Sequence, residues 1–147
     1  MILYSIFVPG EPKGQPRPRA FAFHGKARVY DPGTAEHWKS QIATACPGFT
    51  STIAYPVYVD LTFWMPRPKA HFNKHGLKAD APWKYAKKPD ADNLAKAVLD
   101  ALTTLGVWQD DAQVYALFVV KQYASADNKT GCLILIRDTD ATRRGTQ

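Results

Sequence analysis

KKPDADNLAKAVLDALTTLGVWQDDAQVYALFVVKQY, residues 87–123, holds most of the information about fold and chemistry. Leu94, Ala97, Val98, Ala101, Leu102 and Leu105 fall on one stripe at helical spacing, which predicts an amphipathic helix over 92–105. Gly106 stands where such a helix closes. Residues 112–123 are apolar at odd and even positions alike, the pattern of a central strand buried on both faces. A helix, a glycine and a strand in that order predict an element that turns back and packs against the helix.

Working outward, 57–65 (VYVDLTFWM) alternates and ends at Pro66, and 2–8 (ILYSIFV) ends at Pro9-Gly10; both read as strands. Residues 132–137 (CLILIR) follow the turn-forming SADNKTG and read as the returning strand of a hairpin. A further strand is expected near 20–23 or 27–30. Asp31-Pro32-Gly33-Thr34 precede a helix over about 34–45 with Trp38, Ile42 and Ala45 on one face. The fold class is therefore α+β: one domain over residues 1–147, a mixed sheet of about four or five strands, and two helices packed on it. The tail from about 138 to 147 reads as frayed.

The chain has 147 residues, 46% of them hydrophobic, which suits one folded domain and excludes a disordered polyelectrolyte. A net charge of +6 favours a polyanionic partner. Cys46 and Cys132 lack CxxC neighbours and read as buried, reduced thiols in a cytoplasmic protein. No apolar run approaches the ~18 residues of a membrane span, and the N-terminus lacks signal-peptide features.

The basic residues concentrate in two segments, about 10–30 and 66–89. The second carries seven Lys/Arg against one Asp. Lys13, Arg17, Arg19, Arg67, Lys69, His71, Lys87 and Lys88 are the candidate DNA contacts, because each phosphate neutralised releases counterions. Phe21, Phe23, Phe72, Trp83 and Tyr85 are interleaved with them; for Trp83 and Tyr85, pinning the loop to the core is the favoured role. His71 and His75 have the i,i+4 spacing of a zinc pair, but Gly76 follows directly and no HExxH glutamate is present.

Asp90 and Asp92 stand where an extended segment after Pro89 enters the helix, so their carboxylates can face one spot. Asp111 precedes the following strand and is expected to arrive beside them. Three converging carboxylates need a cation, and hard oxygen ligands suit Mg²⁺, with Mn²⁺ as a substitute. Lys96, one turn after Asp92, is placed to stabilise negative charge on a phosphoryl group. Other roles remain open: Asp92 as an N-cap, Asp90 as a turn residue, Asp110-Asp111 as a loop cap, and Lys96 as an i,i+4 partner of Asp92 or Asp100.

The stretch KKPDADNLAKAVLDALTTLGVWQDDAQV closely resembles the signature of the RusA family of Holliday junction resolvases. GQPRPRAF (14–21) and PRPKAHF (66–72) are similar to its phage and prophage branch. The resemblance implies a Mg²⁺-dependent homodimer, with no small-molecule cofactor, that cuts paired strands symmetrically at a four-way junction in a bacterial cytoplasm. It puts metal-binding aspartates at Asp90, Asp92 and Asp111, an essential lysine at Lys96, and a supporting Asp at Asp110. Compact members differ over 10–30 and 66–89, which leaves a broader nuclease for branched DNA as an alternative. A non-catalytic junction or single-strand binder would gain nothing from clustered carboxylates. Against a DxD transferase or phosphatase, 147 residues leave no room for a nucleotide-sugar domain, and the DxD here opens a helix after a proline instead of ending a buried strand.

Overall fold

A computed structural model describes residues 1–16 and 35–139, together with the backbone of two strands at 19–23 and 26–30. The elements in order are β1 (Ile2–Pro9), β2 (Arg19–Phe23), β3 (Lys26–Tyr30), α1 (Glu36–Ala45), β4 (Val57–Met65), β5 (Phe72–Asn73), β6 (Gly76–Leu77), α2 (Ala91–Thr104), β7 (Val114–Tyr123) and β8 (Gly131–Arg137). The main sheet has the order β1-β8-β4-β7. β8 pairs antiparallel with β1 and β4, and β4 pairs parallel with β7. β2–β3 and β5–β6 are separate small hairpins, so the arm holds two strands, one at each of the two places offered for a single one. The α+β class and the mixed sheet with two helices stand.

β4 shows why the sheet has one buried face: Val57, Val59, Leu61, Phe63 and Met65 alternate inward. Cys132, Ile134 and Ile136 of β8 and Ile6 and Val8 of β1 join them. Trp38 and Ile42 of α1 cover this face, together with Leu94, Ala97, Val98, Ala101 and Leu102 of α2. Each large aliphatic chain so buried stabilises the fold by roughly 1.5–3 kcal/mol. α2 ends at Leu105, and Gly106 follows at φ 83°, a left-handed conformation open to glycine at no steric cost.

Two readings need correction. β7 and β8 are not a hairpin, because β4 lies between them. Residues 124–130 bridge that gap, which is only about two strand spacings, or ~10 Å. Nor is β7 central. It is an edge strand, with Tyr115, Leu117 and Phe118 exposed.

The C-terminal region is ordered further than expected: Asp138 is buried and pairs with Met1 through backbone bonds in both directions. Residues 140–147 lie outside the described set. Cys132 is buried and Cys46 half-buried, both free. Burial pushes both thiols up. Among the described residues, no helix is long and apolar enough to cross a membrane.

Candidate active site

Pro89 cannot donate a backbone hydrogen bond, so the chain entering α2 needs outside partners for its carbonyls. It finds them in two side chains. Lys121 of β7 donates from Nζ to the carbonyls of Lys87 (2.8 Å) and Pro89 (2.9 Å). The Tyr85 hydroxyl donates to the carbonyl of Lys88 at 2.7 Å. The Lys121 ammonium also lies 5.5 Å from the centre of the Tyr85 ring. Neither residue was singled out by sequence as a support for the carboxylates. The available signal was a lone charged residue in a mostly apolar strand.

Asp90 follows as the N-cap of α2, in extended conformation. Its carboxylate pairs with Lys88 at 2.9 Å. Asp92 occupies the first helical turn, where the helix dipole favours negative charge. The N-cap is thus Asp90, not Asp92. Exposed Lys96 and half-buried Asp100 continue the line from Asp92 at i,i+4 spacing, and Lys96 Nζ lies 3.6 Å from Asp100. The proposed helical partner for Lys96 is therefore Asp100.

Asp110 is a supporting residue in a definite sense. It caps a short 3-10 turn, Asp111–Gln113, accepting from the Ala112 amide at 2.8 Å. Gln113 closes the box by accepting from the Asp110 amide at 3.2 Å, and its own amide group donates to Ile53 and Tyr55 carbonyls. Asp111 is carried by this turn. Partial burial, a hydrogen bond with Asp110 and the charges of Asp110 and Asp100 hold its carboxyl above the usual range, against the opposing pull of Lys96.

Asp111 therefore sits beside the middle of α2, not beside its start. Trp108 explains this: its ring is buried and its Nε1 donates to Thr103 at 2.7 Å, which holds the chain at the far end of the helix. Among the described residues, no three His, Cys, Asp or Glu side chains lie close enough to hold a metal ion. Asp111 does not join Asp90 and Asp92 in one group among the described residues.

The basic segments flank the helix start. Gly14 passes against Pro89 and Asn93, where an added Cβ would meet their Cβ atoms at 3.1 and 3.2 Å. The Gln15 amide donates to the Asn93 carbonyl at 2.9 Å. Lys13, just before, is exposed and pairs with Glu11. The side chains of Arg17, Arg19, Phe21 and Phe23 lie outside the described residues. On the other flank Lys69, Lys87 and Lys88 are exposed.

Arg67 differs from them and corrects its reading as a phosphate contact. It is only 9% exposed, and donates to the carbonyls of Ala124 (2.5 Å) and Pro82 (2.7 Å) while lying over the Tyr123 ring. It fastens the segment 66–89 to the end of β7. His71 stacks edge-on against Tyr123 at 4.8 Å. Desolvation, then the charges of Arg67, Lys87 and Lys78, lower its pKa. Tyr85 packs against Tyr123 as a loop pin, whereas Trp83 is 57% exposed, contrary to the pinning role. A cleft of about 280 Å³ opens between Pro66, Arg67, Pro68, Tyr85, Lys87 and Tyr123.

A charged helix start between two basic segments is matched by a known family. The family model for endodeoxyribonuclease RusA fits residues 9–134, which include both basic segments and Asp90, Asp92, Asp100, Asp110 and Asp111. The chain belongs to the RusA family. It is 33% identical over 139 residues to the uncharacterized protein YqaN of Bacillus subtilis (strain 168), covering 91% of this chain and 95% of that one. It is 29% identical over 123 residues to the crossover junction endodeoxyribonuclease RusA of Escherichia coli (strain K12), covering 82% and 84%. The crossover junction endodeoxyribonuclease rusA of Enterobacteria phage 82 matches to the same extent. The chain is thus an endonuclease of the RusA type.

Proposed function

We propose that this RusA-family protein is a Mg²⁺-dependent endodeoxyribonuclease that resolves four-way junctions and related branched DNA. On this reading it acts as a homodimer in the cytoplasm of a bacterial host, on phage or prophage business. The observation that carries the reading is the placement of Asp90 and Asp92 at the head of α2, with Lys96 one turn on, between two basic segments.

Asp90 and Asp92 fit a hard cation, since Mg²⁺ is commonly held by one or two carboxylates with water and substrate phosphate filling the remaining positions. When bound, such an ion supplies a water of lowered pKa and neutralises charge on the phosphoryl group; Mn²⁺ can replace it. The rest falls to side chains. Lys96, held by Asp100 in a solvent-exposed i,i+4 pair of only about 0.3–0.5 kcal/mol, is readily transferred to a non-bridging phosphate oxygen. Lys13, Lys69, Lys87 and Lys88 hold the backbone phosphates without reading sequence. Lys121 and Tyr85 keep the Asp90 backbone fixed meanwhile. Paired nicks on opposing strands require two sites related by a two-fold axis, hence the homodimer.

The test offers the protein a synthetic four-way junction and a linear duplex of matching sequence, each with Mg²⁺ or EDTA. Paired, symmetric, Mg²⁺-dependent nicks in the junction alone are expected. Asp92→Asn is expected to abolish them and keep binding. Equal cutting of both substrates would make the protein a broader structure-tolerant nuclease, and binding without cutting would leave only a junction-binding protein.

A further inference from the structure

Residues 83–85 run antiparallel beside the C-terminal end of β7. The Tyr123 amide donates to the Trp83 carbonyl at 2.8 Å, the Tyr85 amide donates to the Lys121 carbonyl at 3.3 Å, and Lys84 bridges to Gln122. One residue earlier, the Arg67 guanidinium donates to the Pro82 carbonyl at 2.7 Å. Residues paired across antiparallel chains share a side, so Trp83 projects with Tyr123, and Tyr85 with Lys121. From that side Lys121 reaches the Pro89 carbonyl at the head of α2. Tyr85 uses its position, with its ring against Tyr123 and its hydroxyl on the Lys88 carbonyl. Trp83 does not.

At 57% exposure it leaves roughly 140 Å² of a large ring in water, on a backbone already fixed from both sides. A binding partner would therefore lose little to the ordering of this side chain. The other large apolar side chains left exposed among the described residues lie at the chain start or on β1 and β7; Trp83 stands within a basic segment. Lys84 Nζ lies 5.4 Å from the centre of its ring. A π face beside an ammonium suits the two parts of a nucleotide, its base and its phosphate. In a linear duplex each base face is already stacked on a neighbour. A face becomes free where strands part.

We propose that Trp83 is a stacking platform for a base unstacked at the branch point, with Lys84 on an adjoining phosphate, and that it sets the preference for branched over linear DNA. The inference rests on the nuclease reading above. Its reach agrees with that reading. Tyr123 to Lys121 is about 7 Å along the strand, and the lysine reaches about 6 Å further to the Pro89 carbonyl. The Trp83 backbone thus lies roughly 15 Å from that of Asp90. At a rise of about 3.4 Å per stacked nucleotide, the base on Trp83 is about four nucleotides from a phosphate at Asp90. Stacking on a ring needs no particular base, so the platform senses branching and not sequence.

The experiment measures binding in EDTA, where no strand is cut, to a four-way junction and to a linear duplex of matching sequence. Trp83→Ala should weaken junction binding about tenfold and duplex binding by less than about twofold. Trp83→Phe keeps a π face and should recover most of the loss. Lys84→Ala should lower the slope of log K against log salt by about 1 on the junction, and an unchanged slope would overturn the part given to Lys84. In a second measurement, 5-iodouracil is placed in turn at the nucleotides flanking the branch point and irradiated in complex with the wild-type protein. A photocrosslink mapped to Trp83 by mass spectrometry is expected, and this readout does not depend on any variant folding. Equal losses on both substrates, an unaffected junction, or crosslinks that avoid Trp83 would overturn the platform. A wild type that binds and crosslinks in this way yet cuts neither DNA with Mg²⁺ would overturn the nuclease reading and leave the platform standing.

Discussion

Replacing Lys121 by Met isolates the part played by the clamp on the Asp90 segment. Met keeps most of the apolar stem over Tyr85 and removes only the ammonium. Two charge-assisted hydrogen bonds, at 2.8 and 2.9 Å, are lost. Bonds to charged groups contribute about 1.5–3 kcal/mol each. Lys121 is half-buried and water can reach the freed carbonyl of exposed Lys87, so the pair together is worth about 2 kcal/mol. For a chain of this size that lowers Tm by about 4–8 °C.

A fall in Tm alone would not distinguish a clamp from any other packing residue. The distinguishing quantity is the Mg²⁺ concentration that gives half-maximal junction cleavage. Loss of a group that orients a metal ligand typically costs 10–100-fold in metal affinity or activity. Lys121→Met should therefore need at least tenfold more Mg²⁺, with junction binding in EDTA unchanged. Lys121→Arg, which can still donate to both carbonyls, should recover part of the loss. A destabilised Lys121→Met protein with the wild-type Mg²⁺ requirement would refute the positioning role and leave Lys121 as a loop anchor.

Arg67→Ala should destabilise by about 3 kcal/mol, because it strips the Ala124 and Pro82 carbonyls of their donor and empties a buried site. In thermal melts this is a fall of about 6–12 °C, whereas exposed Lys69→Ala should leave Tm nearly unchanged and lower the slope of log K against log salt by about 1. Asp111→Asn should raise Tm in EDTA at pH 7 by about 1 °C, from relief of the desolvation of an ionised carboxyl and of like-charge contacts, together worth a few tenths of a kcal/mol. The sign follows from its raised carboxyl pKa: ionisation penalises the folded state above the ordinary Asp range and ceases to do so once the group is protonated. The difference between wild type and Asp111→Asn should accordingly close as pH falls to about 3, and a difference that widened would contradict the assignment.

The helix at 91–104 was legible because its apolar stripe carries both period and length, and β4 because its alternation is clean. What failed was partnership. β7 and β8 follow one another through a turn, the usual mark of a hairpin, yet a strand from fifty residues earlier sits between them. Nothing local encodes that insertion. The identities of the acidic residues were plain in PDADN and QDDAQ, but their distances were not. The expected convergence assumed that the chain returns to the helix start, and the buried Trp108 holds it at the other end. Arg67 looked like its exposed neighbours because the carbonyls that hold it come from 15 and 57 residues away. Lys121 was hidden for the same reason.

The misreading of β7 and the missed placement of the acidic residues have one physical source. Hydrophobicity in sequence reports that a side chain is apolar, not which strand ends at the edge of a sheet. β7 reads as central because apolar residues occupy both of its faces, yet β4 pairs with one of its edges and Tyr115, Leu117 and Phe118 stay exposed. The acidic residues are likewise positioned by contacts that their own motifs do not encode: Lys121 of β7 on the Pro89 carbonyl fixes the start of α2, and Trp108 on Thr103 fixes the chain at its other end. A motif gives the chemistry of a site; the packing of its neighbours gives its geometry.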